Sequence, residues 1–324
     1  MKSRERVLRA LDLEEPDRVP MFELEFQYPE LVCGKPYILW SGYGSWEQTV
    51  FRDILSKMKI EEDIAKVTRH NTEVLVETCS KLGYDVFRPS FVPDPLEAIR
   101  YARKIAPDLA IMGNSPGTGL GIPDGKSMFH IVKWAYTNPE GLRRIAEDRV
   151  RRSLEYIRLQ VEAGAEIIVD CTDYALKSGP FFKPEFYHKV VFPLIKILVD
   201  EAHRVGAFFI QHTDGNLWPI IDGLISTGID ALHSIDPSAG MSLKEVKEKY
   251  GDRIALCGNV DAANTLFLGS PEDVAYEARN CIRNAAYGGG YFLTSSNCIY
   301  RGVPIDNTLA LVKTGLKYGR YKPL

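Results

Sequence analysis

A histidine and an aspartate two residues apart, His212 and Asp214, stand where the apolar run Phe208-Phe209-Ile210 gives way to the turn formers Gly215-Asn216. Side chains alternate along an extended chain, so both project to one side and their head groups can meet one ion. Imidazole and carboxylate suit zinc when a third donor comes from elsewhere. Cys298, within Thr294-Ser295-Ser296-Asn297-Cys298, offers a thiolate, and three ligands leave the fourth position open for substrate, as catalytic zinc requires. The same residues also read as plain structure: His212 and Asp214 hydrogen-bonded to each other or capping the next helix, and Cys298 as a small buried apolar residue.

Other acids gather at predicted strand ends: Glu23 and Glu25, Asp85, Asp170 and Asp173. Glu23 and Glu25 are two apart, so both are expected to face inward, one as a further metal ligand or as a proton donor with a raised pKa. A hydrogen-bonded polar layer inside the fold is the other reading. Aromatic residues such as Phe22, Tyr37, Trp40, Tyr174 and Phe181 favour a flat, largely apolar ligand, or else core packing. The glycine-rich stretch 117–127 fails both phosphate-loop templates, with Leu120 and Asp124 where glycine is needed. It reads as a loop over the site.

Positioning these residues requires a frame. Short runs rich in Val, Ile, Phe and Leu at 19–26, 85–87, 109–113, 166–170, 208–212, 231–233, 255–258 and 291–294 read as strands. Helical periodicity fills 60–82, 139–163, 184–205, 217–227, 242–250, 271–287 and 306–317, and Asn138-Pro139 and Ser270-Pro271 place a cap before a first-turn proline. Eight strands, nearly each followed by a helix, predict a (β/α)8 TIM barrel with an N-terminal helical extension, with chemistry at the carboxyl ends of the strands. An open doubly wound sheet is the alternative. No repeat or linker interrupts the chain, so residues 1–324 are expected to form a single domain.

The 324 residues are 45% hydrophobic and 26% charged, with a net charge of -3. No basic surplus exists to release counterions from a phosphate backbone, which argues against nucleic acid as a partner. Six cysteines without a CxxC hook, and a charged amino terminus without a long apolar run, predict a reduced, cytoplasmic protein that does not enter a membrane.

In order along the chain, Arg4-Glu5-Arg6-Val7-Leu8-Arg9-Ala10, Pro16-Asp17-Arg18-Val19-Pro20, Asp173-Tyr174 with Gly179-Pro180-Phe181, His212-Thr213-Asp214-Gly215-Asn216, Gly258-Asn259-Val260-Asp261 and Lys317-Tyr318-Gly319-Arg320-Tyr321 resemble the uroporphyrinogen decarboxylase superfamily. True decarboxylases of that group carry an arginine-rich segment just after the first strand, where this chain has Glu23 and Glu25. The resemblance therefore leans to the cobalamin-dependent methyltransferase branch. It implies catalytic zinc on His212 and Cys298, with Asp214 in the place of a cysteine. Oxygen in place of sulfur makes zinc a harder Lewis acid, suited to an ether or alcohol oxygen.

The expected function is transfer of a methyl group from a small methoxylated substrate, an aromatic ether, to a Co(I) corrinoid on a carrier protein. Glu23 or Glu25 serves as the proton donor or added ligand. Asp173, Tyr174, Phe181 and Asn216 shape the substrate pocket, and a homodimer is one expected assembly. A cofactor-free decarboxylase and a non-catalytic corrinoid or tetrapyrrole binder are the alternatives.

Overall fold

The computed structural model describes residues 1–38, 64–123, 125 and 128–321. Trp40, the start of the helix expected at 60–82, and Asp124, Lys126 and Ser127 lie outside the described residues. Seven parallel strands follow one another in chain order around the sheet: Val86–Phe87, Ala110–Ser115, Ile167–Cys171, Phe208–Thr213, Ala231–Ser234, Ala255–Gly258 and Tyr291–Phe292. The segment predicted as the first strand, 19–26, is extended without being a regular strand, in part because Pro20 has no N–H to donate. It still lies between the last strand and the first. Leu293 N–H donates to Pro20 O at 3.0 Å and Asp85 N–H to Met21 O at 2.7 Å, with parallel bridges at Met21–Leu293 and Phe26–Ile299. The fold is the (β/α)8 barrel.

Alternation sorts the strand residues onto two sides. Leu24, Val86, Met112, Val169, Ile210 and Phe292 fill the inside, where Val7, Ala10 and Leu11 of the N-terminal helix Ser3–Leu11 join them as a plug. Their neighbours Ile168, Phe209 and Leu232 pack outward against the helices. Continuing the inward set by two residues puts Asn114, Cys171, His212, His233 and Thr294 in the next layer toward the carboxyl ends.

The helices begin where their caps are. The side chain of Asn138 accepts from Gly141 N–H, and Ser270 and Asp273 form a reciprocal capping box. Among the described residues four α-helices escaped the sequence reading, Pro95–Ile105, Met128–Thr137 and the four-residue Glu30–Cys33 and Thr265–Leu268. The first carried a usable signal in Asp94-Pro95, since Asp94 caps Glu97 N–H. The helix expected at 184–205 is interrupted by a π turn, Tyr187–Val191, before Phe192–Arg204. Pro193 has no N–H for the usual bond one turn back, and the wider turn accommodates this.

Asp85 is a correction. It sits at the amino end of its strand, opposite the expected mouth. There its carboxylate takes Arg6 at 2.7 Å, Arg18 at 2.8 Å and Met21 N–H at 2.9 Å. Among the described residues no helix is long and apolar enough to cross a membrane.

Candidate functional site

The strand Phe208–Thr213 ends by delivering His212 into the mouth, and the turn that follows delivers Asp214. Gly215 makes that turn possible: its φ is +91°, and a Cβ there would lie 2.2 Å from Ala175 O. Asp173, on the loop after Ile167–Cys171, completes a group of three whose ligand atoms all lie within 4.8 Å of one another. His212 Nε2 stands 3.9 Å from Asp173 Oδ1 and 3.9 Å from Asp214 Oδ1.

Each carboxylate is held from behind. Asp214 Oδ1 accepts from Ser234 Oγ at 2.5 Å and Oδ2 from Asn297 Nδ2 at 2.6 Å, while Asp214 N–H donates to Asp173 Oδ1 at 2.8 Å. Burial raises the Asp214 carboxyl, His212 opposes that rise, and Asp173 adds to it. Two carboxylates no more than 4.8 Å apart repel by at least roughly 3.5 kcal/mol at an effective dielectric near 20, before the solvent screening of Asp173, which is 45% exposed. A divalent cation among them turns this repulsion into attraction, so the donor set fits such an ion.

The sequence reading grouped Cys298 with His212 and Asp214. The structure brings Asp173 into that group, and Cys298 is outside it. The thiol belongs to the same surroundings, since burial and the charges of Glu25, Glu23 and Asp214 all push it up.

Glu23 and Glu25 do not form an inward-facing pair. Phe22 and Leu24 take the inner positions, which turns Glu23 to the outer side. There Ser295 N–H donates to its Oε1 at 3.0 Å and Ser295 Oγ–H to its Oε2 at 2.5 Å. Only 8% exposed, Glu23 has its carboxyl pushed up to about 8 by burial, against the pull of Ser295. Glu25 keeps to the mouth, 3.5 Å from Arg88.

Asp170, expected at the mouth, also faces outward in register with Gln211. It lies against Gly117, where a Cβ would come within 2.9 Å of its carboxylate. The glycines of that loop serve close approach: a Cβ on Gly121 would lie 2.9 Å from Asp173 O. Tyr174 is fully buried, its ring edge-on to Tyr187 at 5.8 Å, so it shapes the wall from behind. Phe181 packs on Phe182 at 4.9 Å. The Asn216 side chain accepts from Trp218 N–H.

Two residues of the site were not foreseen. His233 is the register partner of His212 and meets it Nδ1 to Nδ1 at 2.8 Å. Arg88 donates to Leu24 O at 2.7 Å and Asn114 Oδ1 at 3.1 Å, placing one cation at the rim. Both continue inward strand parity, from Ala231 and Val86, which was the available signal.

Comparison with known proteins agrees with this architecture. The chain is 26% identical over 236 residues to a methylcobamide:CoM methyltransferase of Methanosarcina barkeri, covering 72% of this chain and 66% of that protein. It is 26% identical over 231 residues to a uroporphyrinogen decarboxylase of Methylobacillus flagellatus, covering 69% and 62%. The chain thus spans slightly under two thirds of the length of these relatives. A solved methyltransferase from Methanosarcina mazei superposes with a TM-score of 0.74 at 20% identity, over 98% of this chain and 99% of that one. The profile of the family described as Uroporphyrinogen decarboxylase (URO-D) matches residues 96–318, from the helix after the first strand to the end of the last helix. By that match the chain belongs to the uroporphyrinogen decarboxylase family.

Proposed function

We propose that the chain is a zinc-dependent corrinoid methyltransferase. It takes the methyl group of a small methoxylated compound, an aromatic ether, and passes it to a Co(I) corrinoid carried by a separate protein. The observation that carries this reading is the convergence of one imidazole nitrogen and two carboxylates at the carboxyl ends of the strands. Two anionic donors and one neutral donor balance a divalent charge. Similarity to a methylcobamide:CoM methyltransferase supports the same reaction class. Asp173, Asp214 and Glu25 also load the mouth with negative charge against Arg88, which disfavours docking of a substrate with many carboxylates.

When bound, zinc supplies the Lewis-acid polarisation that stabilises a leaving alcoholate or phenolate. His212, Asp214 and Asp173 would hold the ion and leave its fourth position for the substrate oxygen. Glu25, an anion beside Arg88 whose side chain is 33% exposed, would relay a proton taken up from solvent to the leaving oxygen. Phe181 and Asn216 frame the pocket for the ring of the donor. Metal analysis and the consumption of Co(I), followed by absorbance with methoxylated arenes as donors, test the reading. Wild type should carry one zinc and consume Co(I), and His212→Ala and Asp214→Ala should lose both. Full turnover by zinc-free wild type, or carbon dioxide release from a carboxylated tetrapyrrole without Co(I) consumption, overturns it.

A further inference from the structure

The contact between His212 and His233 has a direction that the surrounding hydrogen bonds determine. Thr294 Oγ lies 2.7 Å from Ser295 O and 3.2 Å from His233 Nε2. A hydroxyl has one proton. The carbonyl can only accept and its contact is the shorter by half an ångström, which assigns the Thr294 proton to Ser295 O and turns a lone pair to the imidazole. His233 must then carry its proton on Nε2. Its Nδ1 is left as an acceptor, and the proton in the 2.8 Å Nδ1 to Nδ1 contact belongs to His212. Among the described residues no carboxylate is a hydrogen-bond partner of His233, which is fully buried with Phe22 beside it.

We propose that Thr294 and His233 form a positioning relay that keeps the proton of His212 on Nδ1, leaving Nε2 as the one nitrogen that can bind a metal. The Nε2 so reserved is the atom that faces both Asp173 and Asp214. The opposite tautomer would place a lone pair against His233 and an N–H where the cation belongs. His233 thus acts through His212 without itself touching the ion. The purpose assigned to the relay rests on the zinc reading above, whereas the tautomer itself does not.

Long-range ¹H–¹⁵N spectra of histidine-labelled protein, first metal-free and then with zinc, read the tautomers directly. Expected are an Nδ1–H pattern for His212 and an Nε2–H pattern for His233. Thr294→Val should mix the tautomers of His212 and weaken zinc binding by about 10- to 100-fold, the range for outer partners of metal ligands. Thr294→Ser, which keeps the hydroxyl, should restore both. Nε2–H on His212 in the metal-free wild type overturns the relay. So does a zinc-bound spectrum with both imidazoles on the metal, or Thr294→Val leaving tautomer and affinity unchanged. Wild type that shows the Nδ1–H pattern but takes up no zinc supports the relay and refutes the proposed function.

Discussion

Replacing Glu23 by glutamine should remove a large part of the pH dependence of stability. Burial holds the Glu23 carboxyl at about 8, whereas its ordinary value is 4.5. Between those values the native protein keeps a proton that the unfolded chain has lost. Stability is therefore complete below about 4.5, falls as pH rises, and is lost for this group once pH passes about 8. At about 1.36 kcal/mol per pH unit, the span from pH 5 to pH 8 amounts to roughly 3.5 kcal/mol. Glutamine mimics the protonated acid, because its carbonyl accepts from Ser295 N–H and its amide donates to Ser295 Oγ. Denaturant unfolding of both proteins across that range should show wild type losing about 3.5 kcal/mol relative to Glu23→Gln. The infrared C=O stretch of a protonated carboxyl should appear in wild type at neutral pH and be missing from the variant. Parallel stability curves, or no such band, would refute the assignment of a proton to Glu23.

Asp85→Asn should cost about 3 kcal/mol, the lower end for a broken buried pair, since Arg18 loses its buried counter-charge at the amino end of the barrel while Arg6 keeps Asp17; denaturant unfolding at neutral pH measures it. Gly215→Ala should lose roughly 1–3 kcal/mol from the left-handed backbone alone. Its Cβ meets Ala175 O at 2.2 Å, so it should also displace Asp214 and lower zinc affinity in a chelator competition. A Gly215→Ala protein with wild-type zinc affinity would show that Asp214 does not depend on this turn.

What could be read from the sequence divides along one physical line. Within a strand, period two places His212, and seven of the eight predicted strands appear because their apolar runs have no competing period. Asp214, one residue past the strand end, comes beside His212 through the turn at Gly215. Contacts between strands depend on register. His233 reaches His212 only because residue 212 pairs with residue 233 across the sheet, and nothing local announces that alignment. Period two also leaves open which set faces inward. For Glu23 the choice was settled by competition: Phe22 and Leu24 gain more from the apolar interior than a carboxyl loses by turning out to Ser295. Cys298 lies beyond the last strand, where no periodicity acts, and its distance from His212 is a property of loop packing alone. Asp173 likewise follows a strand end, yet it joins His212 because Asp214 N–H fastens its carboxylate. A carboxylate on a loop joins the candidate site when a backbone group of a neighbouring turn holds it there, and this is the kind of contact that spacing in a sequence does not encode.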